Sequence, residues 1–530
     1  MNDAHEPLPD PAAALEARER ELKLEVAPDA LGRLAGALRE RGAAKRGVAA
    51  RLVSAYFDSD DRALKRAGVS LRIRRRGRGY VQTIKLGGAG VGMFDRAEWE
   101  RRARGPELAL SPGETLMLAS ALGCEPSALP ALAPVFTTNV KRTVHMLERG
   151  AFVVEIALDD AAIELAEARY AFAELEMELL GGTPEELFAL ARDLGSVAPL
   201  RLSALSKSAR GYAALDGALG RPAKAGDAPI RPGMTVEEAF VAAATDCVVQ
   251  FRLNEDVLLA APEPKAVHQA RVALRRLRSA FSLFKPVVSD ARSEALRGEL
   301  KWLAGSLGDA RDLDVFAEGR LAALGEGDEP EPGLAALADR VERQRGAAYA
   351  AADEALRSPR ARGLMLDLAE WLAIGPWRAD AETADLRALA IETFAADTLT
   401  KRRKKVKKAG EALAALDPHA RHQVRIEGKK LRYAADFFAD VFVEPKARKR
   451  QKTFGKHLTA LQEHLGDLND IATARARVRG LAIAAAAEGD GDAAFAAGAI
   501  AGHADADARG LLQAAGKSYA ALMKAKPYWR

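Results

Sequence analysis

Cysteine is almost missing from this chain. Cys124 and Cys247 are the two in 530 residues. A disulfide framework and a multi-cysteine metal site are therefore excluded, and a reducing cytoplasm is the expected setting. Aromatic residues are scarce at 6%, which leaves little material for stacking on bases. Long apolar runs are missing too. The longest, such as "LAIAAAA" near residue 481, is too short to span a bilayer, so no membrane partner is expected. The opening "MNDAHEPLPDP" lacks the basic-then-apolar order of a signal peptide. No single sign of charge prevails: 79 Lys and Arg stand against 74 Asp and Glu, a net +5. Function must then be sought in how the charges are arranged. What the chain does have is 48% hydrophobic residues, enough for real cores, and length for two or three domains.

The tract Asp216 to Met234, "DGALGRPAKAGDAPIRPGM", is rich in Gly, Ala and Pro and reads as a linker, most sharply over 217–234. Before it, over 15–216, β signals dominate, with helical pieces near 28–42, 113–123 and 184–195. After it, over 235–525, the pattern is helical almost throughout. The Ala-rich tracts near 321–357 and 481–505 read as weakly patterned helix or loop.

In the β half, charges recur on alternate positions. "ERELK" places Glu19, Glu21 and Lys23 on one face of a strand, because strand side chains alternate with period two. Arg72, Arg74 and Arg76 do the same, as do Thr83 with Lys85, Arg96 with Glu98 and Glu100, Glu155 with Asp159, and Glu174 with Glu176 and Glu178. For any one strand, the simple account is charges facing water. Six strands with the habit suggest a sheet with one charged and one apolar face, closed into a barrel whose lumen is charged. Burying both signs unpaired would be costly. A wet, ligand-filled tunnel removes that cost: Arg and Lys would hold an oligoanion, and clustered carboxylates would hold divalent cations bridging it.

These residues resemble the CYTH domains, the triphosphate tunnel metalloenzymes. "ERELK" is similar to their opening Glu-x-Glu-x-Lys signature. "YFDSDDRALKRAGVSLRIRRRGRGYVQTIKL" and "SALSKSARGY" resemble the later strands and the closing Lys-containing segment. The resemblance implies an α+β domain built on an eight-stranded antiparallel tunnel barrel that cleaves triphosphates with Mg²⁺ or Mn²⁺. By matching motif, Glu19, Glu21, Glu98, Glu100, Asp159, Glu174 and Glu176 would surround metal. Lys23, Arg72, Arg74, Lys85, Arg96, Arg142 and Lys207 would hold phosphates; Arg142 is preferred to Lys141. Glu174 or Glu176 would orient the attacking water, with Lys23 beside them in the catalytic group. The Gly-rich "GGAGVG" (87–92) lacks a following Lys-Ser/Thr and reads as a hairpin connection rather than a phosphate loop.

The helical half repeats itself. "HQARVALRRLRSAFSLF" from His268 and "HQVRIEGKKLRYAADFF" from His422 align, 154 positions apart. His268, Arg271, Arg275, Arg276 and Arg278 match His422, Arg425, Lys429, Lys430 and Arg432. "LGDARDLD" from Leu307 and "LGDLNDIA" from Leu465 follow. This is an internal duplication. Offsets 0, 3, 7 and 10 fall within roughly an 80° arc of a helix, a cationic stripe headed by His. Beside it runs an apolar seam, Val267, Ala270, Leu274, Leu277, Phe281 and Phe284, with Val424, Gly428, Leu431, Ala435 and Phe438 in the second copy. Asp309, Asp312, Asp314, Asp467 and Asp470 either orient the Arg side chains or form plain interhelix salt bridges. No second His stands at i+4 and no Cys adjoins, so the His residues are not expected to bind metal.

The paired His-x-x-Arg helices resemble the CHAD domains, conserved-histidine α-helical domains, which implies an all-α bundle that binds inorganic polyphosphate. "KRRKKVKK" (401–408) and "KARKRQK" (446–452) would extend such a track. Nucleic acid is disfavoured because aromatics do not interleave with the stripe. The combined expectation is a cytoplasmic inorganic triphosphatase with a polyphosphate-binding domain, associated with polyphosphate granules. The alternatives are a non-catalytic granule-binding protein, or an enzyme acting on thiamine triphosphate or cyclising ATP.

Overall fold

The computed structural model describes residues 18–87, 93–226, 229–321 and 333–530, with side chains throughout except at 18–19, 93–97, 320–321, 470, 472–477 and 499–509. The chain divides into two compact units, residues 1–223 with 358–375, and residues 224–357 with 376–530.

The first unit is a single antiparallel sheet. Its strands are β1 (Arg18–Val26), β2 (Ala44–Asp58), β3 (Ser70–Arg76), β4 (Gly79–Leu86), β5 (Met93–Ala103), β6 (Ala133–Arg149), β7 (Phe152–Glu164), β8 (Arg169–Gly181) and β9 (Arg201–Leu202). The order is β5-β4-β3-β2-β6-β7-β8-β1-β9, and β5 pairs back onto β1. That last pairing closes β1 to β8 into a ring. The sheet thus has nine strands rather than the expected eight. The ninth is two residues long and exists because Arg201 and Leu202 lie against Glu25 and Leu24 of β1.

Period-two alternation then does its work. Leu22, Leu24, Leu71, Ile73, Ile84, Leu175 and Met177 point outward and are buried. Helices Leu31–Glu40, Pro112–Leu122 and Pro184–Gly195 accompany the sheet; the second contributes Leu118 to a core with Leu71, Ile73 and Ile84. Helix Pro112–Leu122 opens with a capping box, Ser111 to Glu114, and closes at Gly123 in the left-handed region. Helix Pro359–Ile374, far along the chain, belongs to this unit. It lies against helix Pro184–Gly195, where Arg192 reaches Asp367 at 2.7 Å and Glu370 at 2.6 Å.

Helix Lys207–Leu215 is the element that positions the site. Ser206 caps it by accepting from the Ala209 amide. At Gly211 the backbone runs so close to Phe136 that a Cβ would clash with the ring. Tyr212 donates to Asp58 at 2.7 Å, and Arg210 pairs with Glu25 and covers the Phe172 ring at 4.6 Å. The helix is therefore pinned on all its inward sides.

The second unit is helical. The Ala-rich tracts are firm helix where described: Leu334–Arg357, Pro445–Ala487 and Gly491–Lys524. The repeated segments form helices Pro264–Leu283 and Pro418–Phe437. The expected seam is buried in the first copy from Val267 to Phe284, and in the second at Val424, Leu431 and Phe438, with Ala434 buried in place of the half-buried Ala435. Phe284 and its repeat equivalent Phe438 meet edge to face at 6.1 Å, within a cluster that includes Phe240, Phe394 and Trp377. The duplication is thus expressed as a contact between equivalent residues.

Candidate functional site

The lumen of the barrel collects charged side chains through cross-strand register, which sets directly opposed residues about 5 Å apart. Asp159 on β7 lies opposite Glu174 on β8 and Arg142 on β6. On β1, Lys23 lies opposite Glu176, and Glu25 opposite Glu174. Further round, Arg72 faces Thr83 and Tyr56, Arg74 faces Ser54, and Lys85 faces Glu98.

The carboxylates of Asp159, Glu174 and Glu176 come within 4.8 Å of one another, all buried. Lys207, reaching in from its helix, stands among them: its Nζ is 2.8 Å from Asp159, 2.7 Å from Glu174 and 2.8 Å from Glu176. Arg142 forks onto Asp159 at 2.8 and 2.7 Å and also pairs with Glu176. Lys23 bridges Glu176 at 2.5 Å and Glu21 at 3.0 Å. Burial would push Glu176 up, but Lys207, Lys23 and Arg142 outweigh it and hold the carboxyl well below its ordinary range. Asp159 is lowered by Lys207 and Arg142 against the same burial. Burial would lower the ammonium of Lys207, but the three carboxylates hold it above the usual lysine value.

A second group lies on the far strands. Lys85 pairs with Glu98 at 2.9 Å, Arg72 approaches Glu98 at 3.7 Å and Glu100 at 3.8 Å, and Thr83 donates to Glu100 at 2.7 Å. Arg74 differs from its neighbours. Among the described residues no carboxylate is within ion-pair distance of it, and its side chain donates to Ser54 Oγ at 3.2 Å. Burial, with the like charges of Arg72 and Arg142, pulls it down to about 10.

Of the expected residues, Asp159, Glu174, Glu176, Lys23, Arg142 and Lys207 form one network. Glu21 joins it through Lys23. Glu98 and Glu100 sit apart, held by Lys85, Arg72 and Thr83. The side chains of Glu19 and Arg96, and residues 88–92 of the Gly-rich connection, lie outside the described residues. Lys141 is exposed, so Arg142 is the lumen residue of that pair. Three lumen residues went unforeseen. Tyr56 lies opposite Arg72 on the neighbouring strand, and the nearby Arg72 and Arg74 lower its hydroxyl despite burial. Glu25 and Arg210 tie the capping helix to β1. Parity with Glu21 and Lys23 could have found Glu25, and Ser54–Tyr56–Asp58 has the same spacing on β2.

All donors of the triad are hard carboxylate oxygens, the ligand type that Mg²⁺ and Mn²⁺ take. Glu174 Oε1 is buried and accepts no hydrogen bond among the described residues, so the set has acceptor capacity to spare. The residues fit a divalent ion.

In the helical unit the cationic stripe is present but divided. Arg275, Arg278, His422 and Arg432 are exposed; His268, Arg271, Arg425 and Lys429 are half-buried. Arg271 donates to the Ala304 carbonyl at 2.8 Å, and Arg275 reaches the Tyr433 hydroxyl. His422 Nδ1 lies 3.0 Å from Asn469 Oδ1. Arg276 is a correction to the expected stripe. It is buried, pairs with Asp246 at 2.9 Å and donates to Gln250 at 2.9 Å, because offset 8 turns it toward the preceding helix. Lys430 is held by Glu427 at 2.5 Å. Asp314 accepts from Arg345 at 2.7 Å and Tyr349 at 2.8 Å, a plain interhelix pair. Asp470 lies outside the described side chains.

Comparison with known proteins gives two family matches: residues 17–212 to the CYTH domain and 242–479 to the CHAD domain. An inorganic triphosphatase of Haemophilus influenzae is 31% identical over 165 residues, 30% of this chain and 45% of that protein. The chain thus spans less than half the length of this curated relative. Among solved structures, the CHAD domain of the plant Ricinus communis shares 30% identity over 57% of this chain and 97% of that one, with a TM-score of 0.48. A Hippeastrum protein, named as an adenylyl cyclase with a dominant triphosphatase activity, shares 19% over 37% of this chain and 96% of that one, with a TM-score of 0.30.

Proposed function

Taking as premise that the chain is a CYTH domain followed by a CHAD domain, we propose that it hydrolyses inorganic triphosphate with Mg²⁺ or Mn²⁺ and binds inorganic polyphosphate on its helical unit. The observation that carries the first half is the polarised lumen. Arg74, with no carboxylate within ion-pair distance among the described residues, calls for an anion, and a triad with a carboxylate oxygen that accepts no hydrogen bond calls for a cation, within one lumen. A metal–triphosphate complex supplies both. The bound ion would neutralise phosphate oxygens and polarise the attacking water.

The chain's own residues do the rest. Arg72, Arg74 and Lys85 orient the phosphates by charge-assisted hydrogen bonds. A carboxylate of Glu174 or Glu176 takes the proton of the water as its oxygen bonds to the terminal phosphorus, and the bridging P–O bond breaks to release pyrophosphate, whose charge Arg142 and Lys23 offset. Tight packing around helix Lys207–Leu215 excludes bulk water at that end. On the helical unit, His268, Arg271, Arg275 and Arg278 with His422, Arg425, Lys429 and Arg432 form the polyanion face, and Arg276 and Lys430 support it from behind.

Phosphate release from tripolyphosphate, longer polyphosphate, thiamine triphosphate and ATP tests the reading. Tripolyphosphate with Mg²⁺ or Mn²⁺ should be turned over fastest, and Glu21→Ala should lower the rate by orders of magnitude with the fold intact. Equal turnover by Glu21→Ala at the same metal concentration would remove the tunnel from the reaction.

A further inference from the structure

Lys207 does more than line a phosphate tunnel. Its ammonium is within 2.8 Å of all three carboxylates of the triad. Among the described residues no other cation is shared so evenly; Lys23 bridges Glu176 and Glu21. A divalent ion bound to the same oxygens at roughly 2.1 Å and an ammonium at 2.7–2.8 Å demand the same space. We propose that Lys207 is a resident cation that occupies the triad until a triphosphate draws it off, so that metal enters with its substrate rather than before it. The inference rests on the triphosphate reading above and gives that site an order of binding.

The geometry says how the exchange happens. Helix Lys207–Leu215 cannot retreat easily. Gly211 is in contact with Phe136, Tyr212 is bonded to Asp58, and Arg210 is paired with Glu25. Lys207 is the first residue of this helix, where only its four-carbon stem is free to rotate. The exchange is therefore a rotamer change with the backbone fixed. Without an anion, moving the ammonium strands it away from three buried carboxylates, which is costly. With a triphosphate present, phosphate oxygens replace those carboxylates as acceptors, and the triad is released to the metal. Glu174 Oε1, at 0% exposure, has no hydrogen-bond partner among the described residues and lies 3.8 Å from the Arg210 guanidinium; it is the oxygen that the ammonium leaves over and that an entering ion would take first. By linkage, the coupling is reciprocal: metal must tighten triphosphate as much as triphosphate tightens metal.

The test is Mn²⁺ binding to the full chain, read from the free-ion electron paramagnetic resonance signal, with and without a non-hydrolysable imido analogue of tripolyphosphate. Wild type should bind Mn²⁺ weakly alone and at least tenfold more tightly with the analogue. Lys207→Met keeps the stem and removes the charge. It should bind Mn²⁺ alone about tenfold more tightly than wild type and gain less from the analogue. Without analogue, the rise in Mn²⁺ affinity over wild type should be clearly smaller for Lys23→Met than for Lys207→Met. Equal Mn²⁺ affinity of wild type and Lys207→Met without analogue would overturn the inference, as would an equal rise in Lys23→Met. Should Lys207→Met fail to fold, wild type decides alone: Mn²⁺ binding at micromolar Kd without analogue overturns the ordered entry. No Mn²⁺ binding to any of the proteins even with analogue would sink the metal-tunnel reading itself, a result distinct from the others.

Discussion

The two units use the same residue types in opposite surroundings. In the barrel, Lys23, Arg142 and Lys207 are enclosed with Asp159, Glu174 and Glu176, and each cation has fixed carboxylate partners. On the helical unit, Arg275, Arg278 and Arg432 are exposed to solvent. Enclosed charges must be nearly balanced before any ligand arrives, because each uncompensated ion is expensive. Exposed charges need no such balance, because water and salt screen them. On the proposed function, the barrel would be selective for a small anion with its metal, and the helical face would be an adjustable attractor for a long one.

The sharpest way to break the comparison is to remove one charge from each side. Glu176 serves Lys23, Arg142 and Lys207 at once. Glu176→Ala should destabilise the sheet unit by about 3–5 kcal/mol, the cost of leaving buried charge unpaired. Arg278→Ala in the helical unit should change stability by less than about 0.5 kcal/mol. Hydrogen exchange followed by mass spectrometry separates the two units: protection along β7 and β8 should fall in the first variant, and protection of helix Pro264–Leu283 should hold in the second. Comparable losses would mean that the lumen charges are solvated.

Much of this difference was legible in the sequence, for a physical reason. Strand parity is strict, so Glu21 with Lys23 and Glu174 with Glu176 could be set on one face from spacing alone. The apolar seam from Val267 to Phe284 followed from helical period in the same way. What parity and period do not carry is register between distant strands. That Asp159 stands opposite Glu174 depends on the β7–β8 pairing, and Lys207 enters from a helix that follows the last strand; only the resemblance put it in the tunnel. Arg276 was set with the stripe because its partners, Asp246 and Gln250, lie on another helix. Tyr56 was passed over because an aromatic residue among apolar neighbours reads as core, and it is partly that: it also stacks on Phe136 at 4.7 Å.

A second, smaller contrast lies in two glycines that both face close neighbours. A Cβ at Gly211 would meet the Phe136 ring, which is locked between Tyr56 and Tyr212. Gly211→Ala should cost about 1–3 kcal/mol by overpacking, beyond the helix propensity it gains. A Cβ at Gly428 would meet the amide end of Gln462, the far end of a flexible side chain. Gly428→Ala should be nearly neutral, because Gln462 can rotate and Ala favours the helix by about 1 kcal/mol. Thermal unfolding of the two variants checks both signs. In the first copy of the repeat the equivalent of Gly428 is Leu274, buried in the seam, so the two copies fill the same layer from opposite helices.

The smallest effect sharpens the comparison most, because it concerns protons. In the tunnel network, Glu176 and Asp159 are held below the carboxylate range and Lys207 and Lys23 above the ordinary lysine value. Stability from the carboxylates is complete above their unfolded values and is lost only as pH falls through the depressed ones. Stability from the lysines is complete below theirs and is lost only as pH rises through the raised ones. Between pH 6 and 8 none of these four groups titrates. His268 behaves otherwise. Burial, then the positive charges of Arg311, Arg275 and Arg271, hold it below the ordinary histidine value, so it is neutral in the free protein and its unfolded form takes a proton more readily. The helical unit should lose a little stability as pH drops below about 6.5. Polyphosphate bound on the proposed face would neutralise Arg271 and Arg275, which would lift His268 back toward protonation. Binding of labelled polyphosphate should therefore tighten by about three- to fivefold from pH 8 to pH 6, with net proton uptake. His268→Gln should remove most of that change and leave the steep salt dependence that phosphate neutralisation produces. Titrations of the full chain at three pH values, with duplex DNA alongside at matched salt, measure it. A pH slope that survives His268→Gln would assign the proton to another group and leave the cationic stripe acting by charge alone.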